Sequence, residues 1–165
     1  QKAQQPKAFT LQLRGVNLIV KEIKLIDDIK AILCHPAIYD TITDDECPLS
    51  KDFEPPVNDE YLYVGGYVKG EIIGLMVYHK YLDGNECHIQ VLPRHRKDYA
   101  LKFGQQALLH RGTAKLYAEI PDLYKNVLNF ALLNDFRIID VKEDCYIKNG
   151  NSYNINVLEY NDGIC

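Results

Sequence analysis

The sequence predicts one α/β domain of three layers, with a mixed and mostly antiparallel central sheet held between helices. Three observations carry that expectation. Strand-like and helix-like runs alternate in the order β-α-α-β-β-β-α-β-α-β-β. Two-residue turn signals at Lys69-Gly70, Asp83-Gly84 and Asn149-Gly150 join neighbouring strands directly, which antiparallel pairing permits and parallel pairing does not. The 165 residues, 47% of them hydrophobic, suffice for one core and not for two.

Residues 16–23 (VNLIVKEI) are rich in β-branched side chains and partly alternate, the pattern of a first strand. Residues 25–33 place Leu25, Ile26, Ile29, Ile32 and Leu33 on one face of a helix. His35-Pro36 interrupts it, because proline has no N–H to give and restricts the residue before it, and a second short helix follows at 37–42. Residues 43–60 hold three prolines and many acids and read as a long loop. Strands follow at 61–68, 71–81 and 86–92, the last stopped by Pro93. Ala100, Phe103, Gly104, Ala107, Leu108 and Arg111 keep helical spacing and predict a helix over 98–110. A strand at 115–120 leads to a helix capped by Asp122, with Tyr124, Val127, Leu128, Ala131 and Leu132 as its apolar stripe. Strands 136–147 and 153–160 close the chain around Asn149-Gly150.

Composition narrows the function classes. With 19 Lys+Arg against 23 Asp+Glu the net charge is −4, which argues against coating nucleic acid by charge alone. A quarter of the residues are charged, so the chain is neither collagenous nor a membrane span, and no apolar stretch is long enough to cross a bilayer. Cys34, Cys47, Cys87, Cys145 and Cys165 are odd in number and irregularly spaced, which predicts reduced thiols and a cytoplasmic location. The start, QKAQQPKAF, lacks the apolar core of a signal peptide; residues 1–15 read as a flexible lead-in to a domain over 16–165.

The most informative stretch is residues 86–109, ECHIQVLPRHRKDYALKFGQQALL. A strand ends at Val91-Leu92-Pro93, Arg96 follows, and a helix begins with the small residues Ala100 and Gly104 on one face. This segment resembles the acyl-CoA-binding segment of the GNAT superfamily of N-acetyltransferases. More narrowly, it is similar to phage-encoded members with a Glu-x-His-x-x-x-x-Pro-x-x-Arg pattern, here Glu86, His88, Pro93 and Arg96. Residues 126–136, NVLNFALLNDF, resemble the family's Asn-containing helix that ends in Gly-Phe. The resemblance spans 16–160 and implies a GNAT-type three-layer α/β/α domain, acetyl-CoA as cofactor and a primary amine as acceptor.

Residue by residue, the resemblance implies that Gln90, Val91 and Leu92 meet pantetheine through backbone groups, which would also polarise the acetyl carbonyl. It implies that Arg94, Arg96 and Lys97 hold the pyrophosphate, with Asp98, Tyr99 and Ala100 at the facing helix start. The family has small residues in that loop, where this chain has Tyr99 and Leu101. Glu86 and His88, two apart on a strand, share a face and are the candidates for proton handling. A buried His88 hydrogen-bonded to the next strand is the plainer alternative. The family's tyrosine, which protonates the leaving thiolate, aligns with Ala131; Tyr124 is the substitute candidate unless it is simply core. Asn126 is either a pantetheine ligand or a surface asparagine.

Asp44, Asp45, Glu46, Asp52, Glu54, Asp59 and Glu60 crowd the long loop. They are either a solvated loop or a negative mouth that attracts a small cationic amine or a protein lysine. Arg94-His95-Arg96-Lys97 lacks the aromatic platform of a nucleic-acid site. Cys34-His35 and Cys87-His88 predict no metal site, since adjacent strand residues face opposite ways and no Cys-x-x-Cys occurs. Nothing singles out a nucleophilic cysteine. The main rival is a GNAT-shaped protein that binds a partner or CoA without catalysis. Edge strands and the C-terminal hairpin could support a homodimer.

Overall fold

A computed structural model describes residues 17–161; the expected lead-in and Cys165 lie outside the described residues. The strands are β1 (Leu18–Ile23), β2 (Tyr61–Val68), β3 (Glu71–Tyr81), β4 (Gly84–Val91), β5 (Leu116–Pro121), β6 (Phe136–Lys148) and β7 (Asn151–Tyr160). The helices are α1 (Ile26–Leu33), α2 (Pro36–Ile42), α3 (Arg96–Leu108) and α4 (Lys125–Leu133), and the expected order of elements holds.

All seven strands join one sheet in the order β1-β2-β3-β4-β5-β7-β6. Every neighbouring pair is antiparallel except β4 and β5, which run parallel because α3 carries the chain back between them. Apolar side chains fill both faces of the sheet. On one face Val64, Met76, Tyr78 and Val91 pack with Phe103 and Ala107 of α3 and Ala131 of α4. On the other, Tyr63, Leu75, Val77 and Leu92 pack with Ile29, Ile32 and Leu33 of α1 and Ile38 of α2. The result is the expected three-layer α/β/α domain.

The seating of α3 depends on glycine. Phe103 is fully buried, and its ring lies across Gly66 and Gly74, which pair with each other in β2 and β3. A Cβ on Gly66 would stand 2.6 Å from the ring and one on Gly74 3.1 Å. Two missing side chains therefore make the slot that Phe103 fills.

Four local expectations need correction. The β3–β4 turn is centred on Leu82-Asp83, with Leu82 at φ 48°, rather than on Asp83-Gly84. Gly84 belongs to β4, and a Cβ there would meet the Lys115 carbonyl oxygen at 2.2 Å, so close strand approach is its reason for being glycine. Asp122 does not cap α4: its carboxylate accepts from the buried Asn156 amide at 2.6 Å, and Tyr124 occupies the cap position. The α4 stripe narrows to Leu128 and Ala131, with Val127 and Leu132 exposed. α3 starts at Arg96, two residues earlier than its spacing suggests, because a 3-10 turn at Pro93–His95 leads straight into it.

Candidate active site

Parallel β4 and β5 touch over only two residue pairs, Asn85↔Leu116 and Glu86↔Tyr117. The Asn85 N–H closes this joint on the Lys115 carbonyl at 2.8 Å. Beyond it β4 runs on to Val91 along β3, while β5 runs on to Pro121 along β7. The two strands part, and a wedge-shaped notch opens between them.

The register decides which backbone groups face that notch. Leu92 donates its N–H to the Ile73 carbonyl at 2.8 Å, so it points at β3. Antiparallel alternation turns the N–H of Gln90 the same way and that of Ile89 and Val91 toward the notch. Of the three residues expected to meet pantetheine through their N–H groups, Val91 is therefore suitably directed, and Gln90 and Leu92 are spent on the β3 ladder. The Ile89 N–H faces the notch instead. Side chains alternate too: Glu86, His88 and Gln90 face the α1 side, and Cys87, Ile89 and Val91 face α3. Gly104 lets α3 close to 3.3 Å of the Ile89 side chain, measured from where its Cβ would be.

At the wide end of the notch α3 begins. The Arg96 N–H is taken by the Pro93 carbonyl of the preceding 3-10 turn, and no side chain caps the start of the helix. Arg94, Arg96, Lys97 and Asp98 are exposed around this end. Arg96 Nε donates to the Val91 carbonyl at 2.9 Å, which ties the guanidinium to the last turn of β4. Arg94 leans on His95 at 3.1 Å and lies 3.6 Å from Glu71. The bulky residues at the family's small positions have other places: Tyr99 packs its ring 5.9 Å from that of His95, and Leu101 points to solvent. Ala100 packs against the core under α3.

Glu86 is 5% exposed and sits at the closed end of the notch. Burial, followed by the charge of Glu119, pushes its carboxyl up to about 7, against a backbone hydrogen bond from Glu119. Its two oxygens lie 3.4 Å from His79 Nε2 and 3.5 Å from His88 Nε2, and the two imidazole nitrogens are 2.9 Å apart. The crowded surroundings of the His88 ring, then His79, hold this imidazole below its ordinary value, although part of the side chain is exposed. Glu119 adjoins the cluster. Burial would raise its carboxyl, but hydrogen bonds from Lys142 and Tyr81 outweigh that and hold it low.

The structure thus brings Glu86 and His88 together and adds His79 and Glu119, which the sequence reading missed. The signal for His79 was the turn: centred on Leu82-Asp83 it sets His79 opposite Glu86, whereas one centred on Asp83-Gly84 would set Tyr81 there. Tyr124 and Asn126 stand apart from this cluster. Tyr146 donates its hydroxyl proton to the Thr43 carbonyl at 2.7 Å, so Tyr124 donates to Tyr146 at 3.1 Å and its proton is committed. Asn126 is exposed on the first turn of α4. The acidic loop divides likewise. Asp45 accepts from Asn149 and Gly150, Asp44 from Glu46, and Glu54 pairs with Lys30; Asp52, Asp59 and Glu60 are exposed.

No protein-family model matches the sequence, and no curated protein matches it either. Solved structures do match. An IAA acetyltransferase from Bacillus cereus is 18% identical with a TM-score of 0.62, over 87% of this chain and 99% of its own. An acetyltransferase of the GNAT family from Streptococcus pneumoniae is 12% identical with a TM-score of 0.66, over 87% and 98%. A chimeric spermidine N-acetyltransferase from Vibrio cholerae is 13% identical with a TM-score of 0.70, over 87% and 94%. Each likeness is one of fold, and each extends over nearly the whole of the neighbour. The seven-stranded mixed sheet, parted between its two parallel strands and flanked by helices on both faces, is the GNAT fold.

Proposed function

We propose that the chain is an N-acetyltransferase that moves an acetyl group from acetyl-CoA to a primary amine by direct transfer. The observation that carries this is the notch between β4 and β5, with the Ile89 and Val91 N–H groups facing into it and the uncapped start of α3 at its mouth. An extended pantetheine arm would add to β4 there as a strand does, and the pyrophosphate would meet the helix start beside Arg94, Arg96 and Lys97. The fold neighbours, acetyltransferases by name, favour the same reading.

The amine nitrogen attacks the thioester carbonyl carbon, the C–S bond breaks and CoA leaves as thiolate. The backbone N–H groups facing the notch stabilise the oxyanion that forms. Glu86 receives the amine proton, directly or through water held by His88. Tyr124 has its proton committed elsewhere, so the thiolate takes one from water. Asp59 and Glu60 precede Tyr61, whose ring lies 5.5 Å from that of His79, and this negative rim favours a cationic acceptor.

The test is release of free thiol from acetyl-CoA in the presence of a panel of polyamines, aminoglycosides and lysine peptides. Turnover with at least one amine, falling by about 100-fold in Glu86→Gln, is the expected result. Acetyl-CoA binding without turnover on any amine would favour the second reading, a CoA-binding module, for which Tyr99 and Leu101 at the family's small positions speak.

A further inference from the structure

We infer that His79, Glu86 and His88 form a binding site for a divalent transition-metal ion of the zinc type. Register puts them on one sheet face: His79 pairs directly with Glu86 across β3 and β4, and His88 stands two residues along β4. The imidazole nitrogens are 2.9 Å apart and meet different oxygens of Glu86, 3.4 Å from His79 and 3.5 Å from His88; with one ligand atom from each residue, all lie within 4.8 Å. An ion about 2.1 Å from each atom in a tetrahedral arrangement sets its ligands about 3.4 Å apart, so the imidazoles must part by about half an ångström and the carboxylate turn one oxygen, or offer both, to admit one.

The hydrogen bonding puts one imidazole lone pair at the centre, and the proton that His88 gives to it is the one an ion would displace. His79 Nδ1 lies 3.1 Å from the Lys80 carbonyl. A carbonyl can only accept, so Nδ1 carries the proton, and Nε2 presents its lone pair and accepts from the His88 Nε2–H at 2.9 Å. An imidazole held through its far nitrogen by a backbone carbonyl is the usual outer support of a metal-ligating histidine. Glu86 is almost wholly buried and contributes a carboxylate, which a cation beside it would compensate. The exposed side of His88 leaves a route for the ion and a position for water.

Two imidazoles and one carboxylate suit Zn²⁺, Co²⁺ or Ni²⁺ and disfavour Mg²⁺ and Ca²⁺, which prefer oxygen ligands. The site needs no assumption about acyl transfer; where transfer takes place, an ion here occupies the Glu86 and His88 atoms that handle the amine proton, so the metal-bound form is an inhibited one. It also differs from both cysteine–histidine pairs in the sequence: Cys87 packs into the core on the α3 side while His88 faces away from it.

The experiment is titration of chelator-treated protein with ZnCl₂ by calorimetry and with CoCl₂ by visible absorption, MgCl₂ serving as the control. Expected are one Zn²⁺ per chain at micromolar strength or tighter, a cobalt spectrum without thiolate-to-metal bands, and no Mg²⁺ binding. His79→Gln and His88→Gln should each weaken binding at least tenfold. His88 stands at the surface, so its variant keeps the inference testable should His79→Gln misfold. Absence of saturable Zn²⁺ uptake would overturn the inference. So would uptake by folded His88→Gln at wild-type strength, or a thiolate-type cobalt spectrum, which would place the ion on the cysteines.

Discussion

Glu86 and His88 share the sheet face toward α1, and Glu86 stands where β4 and β5 still touch. Replacing His88 with alanine should lower turnover by about tenfold or more and leave acetyl-CoA affinity nearly unchanged, because the contacts proposed for the cofactor are backbone groups and the α3 end. Measurement of kcat alongside calorimetric affinity checks this. A variant that only loses stability would instead assign His88 a packing role. Arg96 acts on the other side of the ledger of binding and chemistry: Arg96→Ala should weaken acetyl-CoA binding about tenfold, or ~1.4 kcal/mol, since it removes a charge at the helix start. Equal affinity in the variant would mean that Arg96 serves only to brace Val91. The shared face of Glu86 and His88 and the place of Arg96 at the start of α3 were legible in the sequence because their spacing is local. His79 was not, because its place depends on a turn position that a single residue shifts, and such a shift changes every cross-strand partner.

Two joints between elements decide whether the site is assembled. The first is α3 on the sheet. Gly66→Ala would push a methyl group into the Phe103 ring and should cost about 1–3 kcal/mol of stability, read from urea unfolding. A neutral result would show that Phe103 has room to move. The second is the long loop on the β6–β7 hairpin, where Asp45 accepts from the Gly150 and Asn149 N–H groups at 2.9 Å each. The Gly150 bond first, and the Asn149 bond next, hold this carboxyl below its ordinary value. A carboxyl depressed in the folded state contributes stability that is present above its unfolded value of ~3.9 and lost as pH falls through the folded value. Asp45→Asn should therefore lower the urea midpoint at pH 7, and the gap to the native protein should close toward pH 3. A gap that does not change with pH would contradict the role of the charge. The Asn149-Gly150 turn was plain from the sequence, since both residues take positive φ, at 52° and 75°. Its clamp by a carboxylate 104 positions earlier had no local signal.

At the scale of the whole molecule, element order and hydrophobic alternation were enough to anticipate the three layers, because seven strands with this pattern bury two faces and need helices on both. Less of the site followed. The notch arises where β4 and β5 stop pairing with each other while each stays paired on its far side with β3 or β7, a consequence of sheet order rather than of any motif. That Ile89 and Val91, rather than Gln90 and Leu92, turn their N–H groups to the notch is a property of pairing. Among the described residues no helix is long and apolar enough to cross a membrane. The exposed Ile138, Ile139 and Val141 lie on β6, the edge of the sheet that a second copy would reach first.

The central claim is that the parted strands and the start of α3 together hold an acyl-CoA. Calorimetric titration of the purified protein with acetyl-CoA, repeated on Arg96→Ala, tests it most directly. The account predicts micromolar binding of one molecule per chain, equivalent to about −8 kcal/mol, weakened in the variant. Absence of detectable heat at millimolar acetyl-CoA, from protein that is folded by circular dichroism, would contradict it.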